Sequence, residues 1–308
     1  MPLHQLGSLT IGVPNIEEVA HYYQDFGLAP TDGGGLATVE GGEQLRLIPA
    51  RHRGLEALTV GVDDEDDIGR IAARLSRLGD IKFGSDAESV TAVEPVAGFK
   101  VTVHIMPRMR QLPASTHIEN APGRIDRPNS RAAAILRLGP VKPRRLGHVV
   151  LGSVDHAATQ RFFVDGLGFK VSDWVPSRAA FLRCSTDHHN VLVQQAPINF
   201  FHHSSWQVDD IDEIGRGATT MLAKDPGRHV WGLGRHHIGS NYFWYLKDPA
   251  GNFSEYYSDL DCVVDDALWE PREWEGIHTV YNWGPPVPPS FLKPDDLAAL
   301  MTGAHSTR

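Results

Sequence analysis

The sequence predicts an α+β fold in which two tandem domains each contain a pair of βαβββ modules. The prediction depends on an internal repeat. Leu6–Gly12 and Leu146–Gly152 are apolar strand segments that end at glycine, and both precede apolar positions at helical spacing. Further along each half, a second strand ends in two aspartates and precedes a second amphipathic segment. Two such copies indicate that the halves are related by duplication.

The first module of each half continues from its strand into a helix and a turn. Apolar spacing predicts the helices at residues 16–24 and 154–164. The segments that lead into the following turns are residues 22–28 and 162–169. Their sequences correspond, except for one residue inserted in the second half.

The second module of each half repeats this order. Its strands are expected at residues 58–64 and 204–210, and its helices at 68–78 and 211–222. The remaining strands, which are shorter, are expected within four segments: residues 37–48, 92–105, 179–194 and 241–257.

These modules divide the chain into four parts. We expect a first domain at residues 1–107, a connection at 108–145, a second domain at 146–260 and a C-terminal extension at 261–308. The connection is rich in Pro, Arg and Ala, and a short helix of its own is expected there.

Composition excludes several classes of function. A net charge of −9 argues against a nucleic-acid partner, because phosphate binding depends on clustered Lys and Arg. Cys184 and Cys262 are too few for a disulfide framework, so a reducing cytoplasm is expected. Residues 1–12 lack a signal-peptide pattern and no apolar run approaches about 18 residues, so no membrane partner is expected.

One segment of the second half is rich in chemistry-bearing side chains. His236, Tyr245 and Glu255 flank the turn Asp248-Pro249-Ala250-Gly251, so two short strands would present these groups at one place. His148 and His203, on other predicted strands, would complete a set of two imidazoles and one carboxylate. That set is the ligand set of non-haem Fe(II) sites that activate oxygen.

The first half lacks all three of these groups. Ser8 stands opposite His148, Ala57 opposite His203, and Thr102 or its neighbour Val101 opposite Glu255. Groups needed for packing would be needed in both halves. Their joint absence from one copy indicates that one half holds a metal and the other is scaffold.

On these residues the chain resembles the two-domain type I extradiol ring-cleavage dioxygenases of the vicinal oxygen chelate superfamily. The family signature runs Gly-x-His, a spacer, an aliphatic residue or Phe, Tyr, two residues, an acidic residue, Pro-x-Gly and then Glu. It is present from Gly234 to Glu255, with Trp244 at the aliphatic position. A second departure is Gly239, where some relatives have Asp.

The resemblance implies two half-open barrels and a set of site residues. The metal ligands would be His148, His203 and Glu255, with His202 set aside because the strand pattern after His203 fits the inward positions better. The catalytic groups would be His188, His236 and Tyr245, with His189 as a possible substitute for His188. His188 would stabilise developing negative charge on oxygen and deliver a proton.

The resemblance also implies the cofactor and the substrate class. Fe(II) is expected, with Mn(II) as an alternative; the substrates would be a catechol and O2, and the assembly a homo-oligomer. Val150 and Ala180 are candidates for the pocket wall, where small apolar residues would admit an alkyl- or aryl-substituted ring.

The C-terminal extension is expected to hold a helix within residues 259–274 beside the pocket mouth. The segment Trp283–Phe291 is not expected to form a regular helix or strand, because of its prolines. It would drape over the surface or over a neighbouring subunit; the alternative is a cap on the substrate entrance.

Three other interpretations are open at this point. The chain could be another metal enzyme on the same fold, such as a glyoxalase-like isomerase or an epoxide-opening transferase, although those families lack the His188, His236 and Tyr245 set. It could be a non-catalytic drug- or metal-binding protein. Or the histidines could be incidental to a carrier fold.

Overall fold

The computed structural model describes residues 3–115, 118–276 and 279–305 and contains two mixed sheets. The strands of the first sheet are β1 (Leu3–Val13), β2 (Ala29–Pro30), β3 (Leu36–Thr38), β4 (Gly42–Pro49), β5 (Gly54–Val62), β6 (Phe83–Ser85), β7 (Ser89–Val93) and β8 (Lys100–Ile105). The strands of the second sheet are β9 (Arg145–Ser153), β10 (Lys170–Val175), β11 (Ala179–Arg183), β12 (Val191–Gln195), β13 (Phe200–Gln207), β14 (His229–Arg235), β15 (Tyr242–Lys247), β16 (Phe253–Ser258) and β17 (Arg272–Glu273).

The order of the strands shows the repeat directly. The first sheet runs β2-β3-β4-β1-β5-β8-β7-β6, and the second runs β14-β15-β16-β13-β9-β12-β11-β10-β17. In each sheet the first strands of the two modules pair antiparallel, and the last strand of each module pairs parallel to its first. Four βαβββ modules in two tandem pairs are therefore present, which confirms the predicted α+β fold.

The four module helices are α1 (Ile16–Asp25), α2 (Glu65–Leu78), α3 (His156–Arg161) and α4 (Ile211–Lys224). Aspartate side chains begin three of them: Asp64, Asp155 and Asp210 each accept a hydrogen bond from a backbone N–H of the first turn. Such caps satisfy donors that have no partner inside the helix. The paired aspartates of the sequence repeat are thus the helix starts of the second modules.

The residue inserted in the second half lies in a π-helix. Helix α3 is followed at Phe162–Leu167 by a turn of i→i+5 hydrogen bonds, which ends at Gly168 with φ +91°. A π-helical turn accommodates one extra residue without a break in the helix. Phe162, Phe163 and Leu167 stay buried in the core despite the insertion.

The first half supports the strand that carries Glu255. Tyr22 of α1 lies 2.5 Å from the Ser254 hydroxyl, Oη to Oγ. Phe26 stacks on Tyr256 with ring centroids 3.8 Å apart, and the Tyr256 hydroxyl donates to the Phe26 carbonyl. Ser254 and Tyr256 lie on the face of β16 opposite to Glu255, because side chains alternate along a strand. The first half therefore packs against the back of the candidate site.

The connection and the extension differ in part from the predictions. The connection contains a short 3₁₀ turn at Ala133–Leu136. The helix predicted within residues 259–274 is wrong: this segment holds a 3₁₀ turn at Asp266–Leu268 and the edge strand β17. Helix α5 (Pro289–Leu292) forms although residues 283–291 were expected to be irregular, since a proline at the first helical position costs no hydrogen bond.

Helix α6 (Leu297–His305) is the last element of the described chain. Among the helices that the structure describes, none has the length and apolar character needed to cross a membrane.

Candidate metal centre and active-site pocket

The candidate ligands lie in one row across the second sheet. Glu255 on β16 pairs with Ser205 on β13, and Ser205 pairs in turn with His148 on β9. Residues paired in this way share a face of the sheet, so both long side chains project over the small side chain of Ser205. Tyr245 on β15 pairs with Glu255 and extends the row to a fourth strand.

His203 reaches the same place from along β13. It lies two residues from Ser205 and therefore on the same face. The pairing of β13 with β9 shifts register between Phe201 and His203, which is the mark of a β-bulge at His202. At a bulge two successive residues oppose one, so His202 also faces the pocket. A regular strand pattern cannot predict that orientation.

The three groups form a compact donor set. His148 Nε2 lies 3.1 Å from Glu255 Oε2, and His203 Nε2 lies 3.5 Å from the same oxygen. One ligand atom from each residue falls within 4.8 Å of the others, and all three residues are buried. His203 Nε2 and Glu255 Oε2 have no hydrogen-bond partner in the described part of the chain. Buried polar atoms rarely stay unpaired, so this donor set fits a divalent metal ion.

The protonation states also suit a metal. Burial alone would raise the pKa of the Glu255 carboxyl, but the nearby rings of His148 and His236 lower that pKa below its usual range. Asn241 Nδ2 donates to the other carboxylate oxygen at 3.1 Å. Burial lowers the pKa of His203 well below its usual range, so its ring is neutral. A carboxylate with neutral imidazoles is the form in which these residues bind metals.

The corresponding row of the first sheet contains hydroxyl groups instead. Thr59 pairs with Thr102, and Thr102 pairs with Thr91. Ser8 Oγ lies 2.9 Å from Thr59 Oγ1, and Thr91 Oγ1 lies 2.9 Å from Thr102 Oγ1. The register identifies Thr102, and not Val101, as the counterpart of Glu255. These four residues are partly buried, and their hydroxyls pair with one another in place of imidazole and carboxylate groups.

Tyr245 and His236 form a hydrogen-bonded pair beside Glu255. His236 Nε2 lies 2.8 Å from the Tyr245 hydroxyl, and His236 Nδ1 lies 2.6 Å from the Val280 carbonyl. Because a carbonyl only accepts, His236 carries its hydrogen on Nδ1, and Nε2 accepts from Tyr245. Burial raises the pKa of Tyr245 well above its usual value and lowers the pKa of His236. Both are neutral in the resting site, and Gly239 does not interrupt their contact.

The structure does not bring His188 to the pocket. His188 is fully buried behind the wall, with Nε2 3.2 Å from Asp173 Oδ2 and Nδ1 3.1 Å from His189 Nδ1. His189 is the residue that lines the pocket, and its ring lies 4.3 Å from the ring of His148. Both residues follow β11 in a loop, where alternation cannot tell which of two neighbours faces inward. The position predicted for His188 thus needs correction, and its catalytic role stays a prediction.

The pocket in front of the metal centre is large and mainly apolar. It has a volume of about 500 Å³. Val150 lines it, as the position on β9 suggests. Ala180 does not, because it is buried in the core with 1% of its surface exposed. Its neighbours Ala179 and Phe181 face the pocket instead. The prediction therefore assigned the wrong face of β11 to the pocket.

The C-terminal extension closes the pocket on one side. Its residues in the wall are Thr279, Val280, Phe291, Leu292, Lys293, Pro294 and Leu297. Phe291 is buried and packs against Tyr245, with ring centroids 4.6 Å apart. Of the segment Trp283–Phe291, which was expected to drape over the surface or a partner, Phe291 lines the pocket, and the wall continues into the residues that follow it.

Comparisons with known proteins agree with this geometry. Residues 145–256 match the family model described as the Glyoxalase/Bleomycin resistance protein/Dioxygenase superfamily. Metapyrocatechase 2 of Cupriavidus necator is 30% identical over 304 residues, which cover 94% of this chain and 92% of that protein. The manganese-dependent 2,3-dihydroxybiphenyl 1,2-dioxygenase of Geobacillus genomosp. 3 is 28% identical over 44% of this chain and 45% of that protein.

A solved structure supports the fold across the whole molecule. The Mn(II)-bound glyoxalase from Novosphingobium aromaticivorans superposes with a TM-score of 0.75 and 24% identity, over 94% of each chain. Identity over nearly the full length of a metapyrocatechase, together with the His148, His203 and Glu255 geometry, confirms the predicted family. The chain belongs to the extradiol ring-cleavage dioxygenases of the vicinal oxygen chelate superfamily, oxidoreductases that insert both atoms of O2.

Proposed function

We propose that this protein opens a substituted catechol ring next to, and not between, its two hydroxyls, with Fe(II) held by His148, His203 and Glu255. The observation that carries the proposal is the buried donor set, whose His203 Nε2 and Glu255 Oε2 lack partners within the described residues. A bound Fe(II) ion would hold the diol and O2 side by side and let electrons pass between them. Mn(II) accepts the same nitrogen and oxygen donors.

Tyr245 and His236 are placed to take a proton from the substrate. As a catechol hydroxyl approaches the Tyr245 oxygen, its proton moves there while the Tyr245 proton moves to His236 Nε2. The His236 ring then carries a positive charge, with its other N–H still donated to the Val280 carbonyl. A general base must lie within hydrogen-bond reach of the proton it accepts, and the 2.8 Å contact of Tyr245 with His236 provides a direct path.

Tyr245→Phe is expected to lower kcat on the order of 10-fold and to leave the metal content unchanged. The loss falls below the full range of about 10²–10⁴ for acid–base groups, because His236 remains. The measurement is steady-state O2 uptake with metal analysis of each sample. Tyr242→Phe, on the same strand outside the pocket wall, is the control. Equal kcat for Tyr245→Phe and the parent would contradict the role.

The pocket favours a ring that carries an apolar substituent. Its volume of about 500 Å³ falls in the range of roughly 300–1,000 Å³ for sites that hold drug-sized ligands. Apolar groups dominate the wall beyond the metal centre, among them Val150, Phe181 and Leu192. A substituent on the ring would bury its surface against them.

The cytoplasmic location and the homo-oligomer remain predictions.

We expect 3- or 4-propylcatechol to exceed catechol in kcat/KM by at least about 10-fold. Each buried CH2 group contributes roughly 0.8 kcal/mol, and 1.4 kcal/mol corresponds to tenfold. In Ala179→Phe the larger side chain would occupy part of the pocket. This variant should therefore lower kcat/KM for the propyl compound more than for catechol. Higher kcat/KM for bare catechol in the parent protein would count against this substrate class.

The decisive test of the activity is reconstitution of the metal-free protein. Fe(II) or Mn(II) is added without oxygen, excess metal is removed, and a catechol is supplied with O2. We expect one metal per chain, one O2 consumed per ring and a yellow ring-opened product that contains all atoms of the diol and of O2. Metal uptake without O2 consumption would instead indicate an isomerase or a binding protein.

A further inference from the structure

The C-terminal extension contacts the pocket histidines through backbone groups. The Phe291 carbonyl lies 2.7 Å from His202 Nε2, and the Val280 carbonyl lies 2.6 Å from His236 Nδ1. These contacts are directional, unlike the apolar packing that seats the extension. A carbonyl accepts hydrogen bonds only, so each contact determines which ring nitrogen carries a hydrogen.

His202 relays one of these contacts to a candidate metal ligand. The bulge at His202 places it beside His203, and their Nδ1 atoms are 2.7 Å apart. Two nitrogens at this distance share one hydrogen. A neutral imidazole carries one hydrogen, and His202 holds it on Nε2, toward the Phe291 carbonyl. Its Nδ1 therefore has no hydrogen to donate.

His202 Nδ1 is therefore the acceptor, and His203 carries its hydrogen on Nδ1. That arrangement leaves the lone pair on His203 Nε2, the atom 3.5 Å from Glu255 Oε2. A metal binds the ring nitrogen that has no hydrogen, and the partner of the other nitrogen selects it. His148 differs, since its Nδ1 has no hydrogen-bond partner among the described residues.

We propose that the C-terminal extension is part of the metal site: the Phe291 carbonyl, acting through His202, holds the His203 ring with its Nε2 lone pair toward the metal. The proposal rests on the metal-binding role proposed above for His203. His202 is a positioning residue, because it acts through His203. Docking of α5 and metal affinity are then coupled. A change that displaces Phe291 therefore lowers the affinity of the site for the metal.

The ring of Phe291 secures that docking. It packs against Trp231 with ring centroids 4.9 Å apart and stacks on Phe253 at 5.9 Å. Its own ring centroid lies 4.8 Å from that of His202. The side chain thus anchors the segment, while the backbone carbonyl of the same residue makes the polar contact.

The test is the metal affinity of His202 variants of the full-length, metal-free protein. Mn(II) binding is followed by the loss of the EPR signal of the free ion. His202→Phe keeps a ring but cannot accept from His203, and we expect about 10- to 100-fold weaker binding. His202→Asn places an amide oxygen near the position of Nδ1, so its affinity should stay closer to the parent. His229→Phe, an exposed histidine outside the pocket, is the control.

A second measurement does not depend on metal. Long-range ¹H–¹⁵N NMR of the metal-free protein reports which nitrogen of each histidine carries hydrogen. We expect Nδ1–H for His203 in the parent and in His202→Asn, and a mixture in His202→Phe. The proposal is overturned by Nε2–H in the parent or by parental affinity in His202→Phe. If the parent protein binds neither Mn(II) nor Fe(II), the proposed metal-binding function is itself wrong, and not only the proposed role of His202.

Discussion

The Glu255→Gln protein is expected to retain no metal after desalting and to lose ring cleavage by at least about 10³-fold. The substitution keeps the shape of the side chain and removes the one negative charge of the donor set. Partners that contact only the ligands contribute about 10- to 100-fold to metal affinity, so loss of a ligand costs more. His148 and His203 alone would leave the ion with two neutral donors.

Thermal unfolding separates loss of the ligand from loss of the fold. A metal that binds only the folded state raises the melting temperature by mass action. We expect Mn(II) to raise the Tm of the parent and to leave that of Glu255→Gln unchanged. Without metal, the variant should melt somewhat below the parent, because the lowered pKa of Glu255 means that its charged form stabilises the folded state. The exposed Glu270→Gln serves as the matched control. One Fe(II) per chain and active ring cleavage in Glu255→Gln would refute the assignment.

The candidate metal ligands could be brought together from the sequence because they follow simple rules. His148, His203 and Glu255 occupy central strands, where pairing places alternate residues on one face. The duplicated half supplies an internal comparison, and its hydroxyl row shows the same positions without imidazole or carboxylate groups. The signature from Gly234 to Glu255 then fixes Tyr245 directly opposite Glu255 on the neighbouring strand.

Other parts of the site depend on features that no periodic pattern reveals. The bulge at His202 turns two successive residues toward the pocket, and the loop after β11 exposes His189 in place of His188. On β11 the prediction was wrong by one residue: it placed Ala180 in the pocket wall, where Ala179 lies instead. The contact of Phe291 with His202 joins segments 89 residues apart, and only the packing of the finished fold determines it.

The second large prediction concerns which of two neighbours, His188 or His189, acts as the acid–base group of the pocket. His189 lines the cavity beside His148, whereas His188 lies behind it and bonds to Asp173. Asp173 also accepts from the Arg272 backbone N–H at 2.7 Å and from Trp274 Nε1 at 2.8 Å. The carboxylate thus requires hydrogen on His188 Nε2, so His188 Nδ1 accepts from His189 Nδ1. His189 Nε2 then carries the lone pair and can accept a proton.

We therefore expect His189→Gln to lower kcat by about 10³-fold, within the range for loss of an acid–base group, with normal metal content. His188→Gln should cost only about 10-fold, because it orients His189 without touching the substrate. Steady-state O2 uptake on iron-loaded samples of equal metal content gives both values. The reverse order, with His188→Gln the more severe, would return the catalytic role to His188 and require its ring to reach the pocket. Since the two substitutions are chemically identical and adjacent in the chain, any difference in kcat reports which ring faces the substrate.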